Sequence, residues 1–435
     1  MSQSAKSMSP MQTCSDGVSF RYASAMAMTP IDTVNTGAPS ERQKTILQQL
    51  DGFASPPAPL NAEERLAFRK RLFELMGEHG VDAMLIEPGG TLEYLTGVAF
   101  HASERLLVAA ALRDGTFLWV SPAFEAGRVA TLCERASGSP ELGAHVLGWD
   151  EHENSAKILG DALKAKGLAK RVVADPDVRS RFIAPISAAI GVQVGDGSTI
   201  AEELRGPKTA REIEILRSAQ ERTQAAIRAV FSVTEPGMRS TEVGALAHFA
   251  QKSLGLTGTW DLSLAGPSGA FPHGDEVDRE LEKGSVMLLD TGGKLHGYCS
   301  DTTRTWTVGA PPTDEVKKVW DAVRAAQIAG MDAMGVGKRT GDADRAARAA
   351  LAKHGYDGGY KHLSHRLGHG IGVQIHEPPY LDGGSDVLMK PGMCFTNEPG
   401  IYLPGKFGLR IEDICIITEG GVDHFGEWQE GPAAP

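Results

Sequence analysis

The sequence is short of several things, and each shortage removes a class of protein. Five of its 435 residues are cysteine: Cys14, Cys133, Cys299, Cys394 and Cys415. They are scattered, odd in number and form no C-x-x-C pair. That excludes a disulfide framework and a thiolate zinc site, and it fits a reducing, cytoplasmic compartment with cysteines used for packing. Long apolar runs are missing too. The longest, around Leu106–Leu112, is broken by Arg113 and Asp114, far short of the ~20 residues a membrane helix needs. No membrane partner is expected. Positive charge is also in deficit, with 44 Lys and Arg against 55 Asp and Glu and a net charge of −11. An acidic chain of this kind is a poor partner for a polyanion, so nucleic acid is not expected as a ligand. The first residues lack the apolar core of a secretory leader. From Met1 to about Ser55 they are rich in Ser, Thr, Met and Pro, and this stretch is expected to be partly disordered.

What remains is a globular composition, 41% hydrophobic and 23% charged, with 51 glycines that imply many tight turns. The length suits two domains. After the leading segment of residues 1–55, an α/β domain is expected over 56–200. It opens at Asn61, where Glu64 three residues on makes a capping box. Leu66, Arg69, Phe73 and Met76 follow at helical spacing, and Gly80 ends the helix. Ala83–Ile86, Leu106–Leu112 and Phe117–Val120 read as strands between Gly and Asp turns.

The stretch Arg205-Gly206-Pro207-Lys208 breaks the pattern and separates a second domain, 201–435. Thr209, with Glu212, caps a long helix whose apolar stripe runs Ile213, Leu216, Thr223, Ile227 and Val230. This second part repeats itself. Gly237-Met238-Arg239-Ser240-Thr241-Glu242 opens a helix after a long one, and Gly337-Lys338-Arg339-Thr340-Gly341-Asp342 does the same one hundred residues later. Each unit leads to a short apolar strand ending in a carboxylate. Val286–Leu289 runs into Asp290, and Met393–Asn397 runs into Glu398. A second carboxylate follows in each, Asp301 and Glu412.

Two such halves would bring four carboxylates to the centre of one sheet. They cannot all stay ionised there without compensation. Divalent metal is the natural compensation, and carboxylates with one imidazole suit Mn, Co, Fe or Zn. The imidazole is His369, set among Gly368, Gly370 and Gly372, which permit close backbone approach. Two ions bridged by carboxylates are a common arrangement for hydrolysis.

These segments resemble a known family. Asp290-Thr-Gly-Gly-Lys-Leu-His-Gly-Tyr-Cys-Ser-Asp301, Gly-His369-Gly-Ile-Gly-Val-Gln-Ile-His376-Glu-Pro-Pro, Asn-Glu398-Pro-Gly-Ile-Tyr and Leu-Arg-Ile-Glu412-Asp are similar to motifs of the pita-bread metallopeptidases. That group holds methionine aminopeptidase, Xaa-Pro aminopeptidase and Xaa-Pro dipeptidase (prolidase). The likeness runs from about residue 205 to 420. The first domain is similar to the smaller creatinase-like domain of prolidases, with Glu93-Tyr94-Leu95-Thr96-Gly97 as a further point of likeness. The implied fold is α/β (α+β), a C-terminal pita-bread domain with an internal pseudo-twofold repeat behind a smaller α/β domain.

The resemblance also implies roles. Asp290 holds one ion, Asp301 and Glu412 bridge two, and His369 and Glu398 complete the second. Manganese comes first as occupant, with cobalt, zinc or iron as alternatives. A water between the ions is the nucleophile, and Glu398 takes its proton and delivers it to the leaving nitrogen. His273 and His376 face the substrate and steady the oxyanion. Arg410 orients the carboxylates. One position departs. Many prolidases carry Arg four residues after the second His, where it helps to hold the substrate carboxylate; here Tyr380 stands there. Tyr offers one hydrogen bond and no charge, so another group holds that carboxylate or longer peptides are preferred.

An X–Pro bond is a tertiary amide without an N–H, and a carbonyl held on metal needs none. The expected activity is therefore Xaa-Pro dipeptidase, on small peptides with proline second, by a homodimer. The alternatives are an Xaa-Pro aminopeptidase on longer peptides, a non-catalytic binding module, or a non-peptidase enzyme of the same fold.

Overall fold

Ser40 opens the first helix by a reciprocal cap. Its hydroxyl accepts from the Gln43 N–H, and the Gln43 side chain bonds the Ser40 N–H. The computed structural model describes residues 38–435 apart from Gly138. Cys14 and most of the segment expected to be partly disordered lie outside the described residues. Within them, the ordered part of that segment is the helix α1 (Glu41–Leu50). Its Ile46 is fully buried in a cluster that includes Ile227, Val230 and Val243. Two apolar residues four apart suffice to seat it, too few for a periodic signal.

α2 (Ala62–Glu78) starts on the Asn61–Glu64 box, as the sequence implies. Its buried face is shifted from the expected one. Leu66 is exposed, and Arg65, Phe68, Arg69, Leu72, Leu75 and Met76 are buried. The two arginines tolerate burial because they donate to the last carbonyls of α3 (Gly90–Thr96). Arg65 reaches Tyr94 O at 3.1 Å and Arg69 reaches Leu95 O at 3.0 Å.

The first sheet holds β1 (Ala83–Ile86), β2 (Val108–Leu112), β3 (Phe117–Pro122), β4 (Val146–Trp149), β5 (Val172–Ala174) and β6 (Gly195–Asp196). Their order is β4-β3-β2-β1-β5-β6. The β1–β2 and β2–β3 pairs are antiparallel, and the other three are parallel. α4 (Ala123–Ser137), α5 (Ser155–Ala165) and α6 (Ser180–Ile190) connect strands from β3 to β6, and α7 (Ser198–Arg205) follows β6. β1 to β3 are buried along their whole length, which accounts for their continuous apolar runs.

The second part repeats one plan. α8 (Ala210–Phe231) and α9 (Ser240–Ser253) are followed by β7 (Thr257–Ala265), β8 (Val286–Leu295), β9 (Tyr298–Cys299) and β10 (Thr302–Thr307). α10 (Asp314–Ala333) and α11 (Thr340–Lys353) are followed by β11 (Gly368–Gly370), β12 (Glu377–Leu381), β13 (Cys394–Asn397), β14 (Gly400–Leu403), β15 (Phe407–Arg410), β16 (Asp413–Thr418) and β17 (Gly421–His424). The second helix of each pair begins alike. Gly237 and Gly337 take positive φ (92° and 75°). Glu242 and Asp342 then accept from the backbone N–H of Arg239 and Arg339. The strands form two main sheets, not one. β10-β8-β7 is antiparallel with β9 on β8, and β12-β11-β13-β16-β17 is a separate antiparallel sheet. They touch where the Glu412 N–H donates to Thr303 O at 3.1 Å. Asp290 lies in the middle of the ten-residue β8 and not at a strand end, since Thr291 and the glycines beyond it continue the ladder.

Candidate metal centre

The contact between the two sheets gathers the predicted residues. Asp290 comes from mid-β8, opposite Leu262 and Thr303. Asp301 immediately precedes β10, its backbone gripped by Gln220 of α8 at N–H (3.1 Å) and C=O (2.9 Å). His369 is the central residue of β11, directly across from Tyr380 on β12. Glu398 follows β13, and Glu412 lies between β15 and β16. Glu412 and Asp413 are neighbours in sequence, yet they part at the strand. Asp413 turns to the other side and pairs with Arg304 at 2.6 Å.

Glycine makes the approach possible at β11. A Cβ on Gly368 would sit 2.0 Å from Thr396 O, and one on Gly370 would sit 2.6 Å from Glu377 O. The sheet can therefore close on His369 only with glycine on either side.

The ligand atoms fall into overlapping triads, with each triad's atoms within 4.8 Å of one another. Asp290, Asp301 and Glu412 make one, His369, Glu398 and Glu412 a second, and Asp301, His369 and His376 a third. Asp301, His369 and Glu412 are 3%, 3% and 2% exposed.

The electrostatics are unbalanced. Four carboxylates surround one guanidinium, that of Arg410, which donates to Asp290 Oδ2 at 2.7 Å. Burial pushes the Asp301 carboxyl well above the usual range, and repulsion from Asp290 and Glu398 adds to it. Burial does the same to Glu412, with Asp301 and Glu398 adding to it. Glu398 is raised to about 8 by burial, despite the Arg410 charge beside it. Asp290 Oδ1 and Asp301 Oδ1 are buried without a hydrogen-bond partner among the described residues. Burial also holds His369 neutral. Its Nδ1 is 3.0 Å from Gly370 O, so Nδ1 carries the proton and donates. Nε2 then presents a lone pair to Asp301 Oδ2 (3.6 Å) and Glu398 Oε1 (3.4 Å). Lone pairs facing carboxylates, with orphaned oxygens beside them, need a cation between them. The donor set of oxygens and one imidazole suits a hard or borderline divalent ion.

The surrounding residues fix this geometry. Thr303 Oγ1 donates to Glu412 Oε2 at 2.7 Å and accepts from Arg410 Nε at 3.0 Å. Thr396 Oγ1 accepts from the His369 N–H and donates to Glu398 Oε1 at 3.2 Å. Arg410 also reaches Pro272 O (3.1 Å), so it ties the loop carrying His273 to Asp290. His273 is exposed there, within electrostatic reach of His365 and His376. His376 is exposed and packs edge-on against His369, with ring centroids 4.2 Å apart. A cavity of about 310 Å³ opens beside His376 and Tyr380, with Asp177, Arg205 and Gln374 on its far wall.

Two members of the cluster are not evident from the sequence. His365 reads there as an ordinary histidine, but burial pushes it down to about 3. Its Nδ1 donates to Arg366 O (2.7 Å), and its Nε2 accepts from the Tyr402 hydroxyl (2.7 Å). Tyr402 in turn accepts from Arg410 at 2.9 Å. The signal available in sequence was the spacing, since His365 stands four residues before His369. Cys299, Cys394 and Cys415 are buried free thiols. Burial raises Cys394 to about 12 and the other two further, so they are packing groups.

The profile of metallopeptidase family M24 matches residues 214–419, the part that builds this cluster, and that of the creatinase/prolidase N-terminal domain matches residues 69–206. The chain is 33% identical over 344 residues to the probable dipeptidase PepE of Mycobacterium tuberculosis, covering 79% of this chain and 89% of that one. The chain belongs to metallopeptidase family M24. As an M24 member it is a peptide-bond hydrolase that uses divalent metal. Its fold agrees with two solved relatives. The dipeptidase PepE from Mycobacterium ulcerans superposes with a TM-score of 0.78 at 29% identity, covering 86% of this chain and 99% of that one. An Xaa-Pro dipeptidase from Bacillus anthracis gives 0.72 at 28%, with the same coverage.

Proposed function

We propose that this M24 peptidase is an Xaa-Pro dipeptidase that works with two divalent ions, manganese first among them. The observation that carries the two-ion reading is the pair of ligand triads sharing Glu412, with orphaned oxygens on Asp290 and Asp301. Asp290, Asp301 and Glu412 would hold one ion, and His369, Glu398 and Glu412 the other, with Asp301 leaning to both through its 3.6 Å approach to His369. When bound, the ions lower the pKa of water and polarise the scissile carbonyl.

The chain's own groups supply the rest. Glu398 takes a proton from the attacking water as its oxygen bonds the carbonyl carbon. It returns that proton to the proline nitrogen as the C–N bond breaks. His273 and His376, exposed on the open side of the cluster, donate to the developing oxyanion. Arg410 holds Asp290 and the His273 loop in place. The substrate class is supported by the relatives named as dipeptidases and Xaa-Pro dipeptidases.

We place the enzyme in the cytoplasm as a homodimer, with residues 56–200 and 201–435 as its two domains. Among the described residues no helix is long and apolar enough to cross a membrane. The deciding assay compares Ala-Pro with Ala-Pro-Ala on manganese-loaded protein. Hydrolysis of the dipeptide with slow tripeptide turnover is expected. A fast tripeptide reaction with inert Ala-Pro would move the enzyme to the aminopeptidases.

A further inference from the structure

Positive charge next to the cluster is scarce, and most of it has a partner within the chain. Arg410 is held by Asp290. Arg348 pairs with Asp344 at 2.8 Å, and Arg205 and Lys208 hold Glu377 at 2.8 and 3.4 Å. Arg366 differs from all of these. It is half-buried, three residues before His369. Its guanidinium has no carboxylate partner and donates no hydrogen bond among the described residues; its contact is the Tyr380 ring, with Cζ 3.9 Å from the centroid.

The position of this guanidinium is set from two sides. Tyr380 faces His369 across the β11–β12 ladder. The Arg366 charge is felt at His369, His376 and Glu398, so it stands at the edge of the metal cluster. A guanidinium stacked on a ring uses its face and leaves its in-plane N–H donors free. Those donors match a carboxylate in bidentate geometry. Asp290 pairs with Arg410, Glu412 accepts from Thr303, Glu398 accepts from Thr396 and Asp301 faces His369, and among the described residues no carboxylate pairs with Arg366. An acceptor for it must then arrive from outside. In a dipeptide the carboxylate sits on the carbon next to the scissile nitrogen, so its receptor has to stand beside the metal ligands.

We propose that Arg366, held on the Tyr380 ring, binds the free C-terminal carboxylate of the substrate. It thereby sets the preference for dipeptides over longer chains. The assignment rests on the Xaa-Pro dipeptidase reading.

The test uses Ala-Pro and its C-terminal amide, Ala-Pro-NH2, with the manganese-loaded wild type and an Arg366→Gln variant. The variant should lose about 10- to 100-fold in kcat/KM on Ala-Pro, chiefly through KM. Its amide turnover should stay within about threefold of wild type, which also reports an intact fold. Arg366→Lys, which keeps the charge but not the fork, should recover part of the loss. Equal losses on acid and amide would make Arg366 a loop support and overturn the assignment, as would an unchanged Ala-Pro reaction. Both results leave the dipeptidase reading standing. A wild type that cleaves longer peptides and leaves Ala-Pro intact sinks that reading, and the assignment with it.

Discussion

Asp301 is the residue on which opposing effects meet. Its Oδ1 is buried without a partner, and burial with the charges of Asp290 and Glu398 raises its carboxyl. With metal bound these features are assets; without it they are strain. Asp301→Asn therefore has two signatures of opposite sign. Bound metal should fall, and kcat/KM on Ala-Pro should drop by about a thousandfold or more. In chelator, the variant should melt a few degrees above the chelated wild type, because one buried negative charge is gone. A chelated variant that melts lower would show that the four carboxylates do not repel in the folded chain. The five ligand candidates are legible in sequence because carboxylates paired behind two similar strands have few other uses. Their support is less legible. Tyr402 links Arg410 to His365, and nothing local in the sequence joins these three residues.

At the scale of elements, caps and turns read most directly. Asn61 with Glu64 and Thr209 with Glu212 cap their helices as their spacing indicates. α1 was hidden because tertiary burial of Ile46 stabilises it, and local periodicity does not. The same holds for Arg65 and Arg69, which count as polar in a pattern but are buried at the end of α3.

The connection between the first sheet and the second part is also tertiary. Asp175, just after β5, accepts from the Thr91 hydroxyl at 2.6 Å, and Thr91 accepts from Arg205 at 3.0 Å. Arg205 ends α7 and grips Glu377 at the start of β12. Burial lifts Asp175 to about 6, with the nearby Asp177 adding to the rise. A carboxyl raised in the folded state binds its proton more tightly there than when unfolded. Its contribution to stability is therefore full below the unfolded value near 4 and is lost as pH rises to about 6. The size of the rise corresponds to about 3 kcal/mol. Urea unfolding of Asp175→Asn and wild type should diverge across pH 4–6, with the wild type losing stability relative to the variant. Parallel curves would remove Asp175 from that account.

For the whole molecule, the repeat is the most legible feature. Matching helix openings one hundred residues apart identify the two halves before any geometry is known. The way the halves join is not legible. They form separate sheets that meet at Glu412 and Thr303, and Asp290 lies inside a strand whose ladder continues through Thr291 and Gly292. Hydrogen-bond continuity between sheets depends on strand tilt and twist, which no local pattern encodes. Assembly follows the same limit, and light scattering at twice the chain mass is the outcome expected for the proposed homodimer.

The proposed activity requires one buried cluster of four carboxylates and a histidine to work through two divalent ions. Manganese titrated into chelator-treated protein, with bound metal and Ala-Pro hydrolysis followed in the same samples, tests it most directly. Activity should be absent at the start and should rise to a plateau as about two ions bind per chain. Full hydrolysis by the metal-free protein, or a plateau with no metal retained at Asp290, Asp301, His369, Glu398 and Glu412, would contradict it.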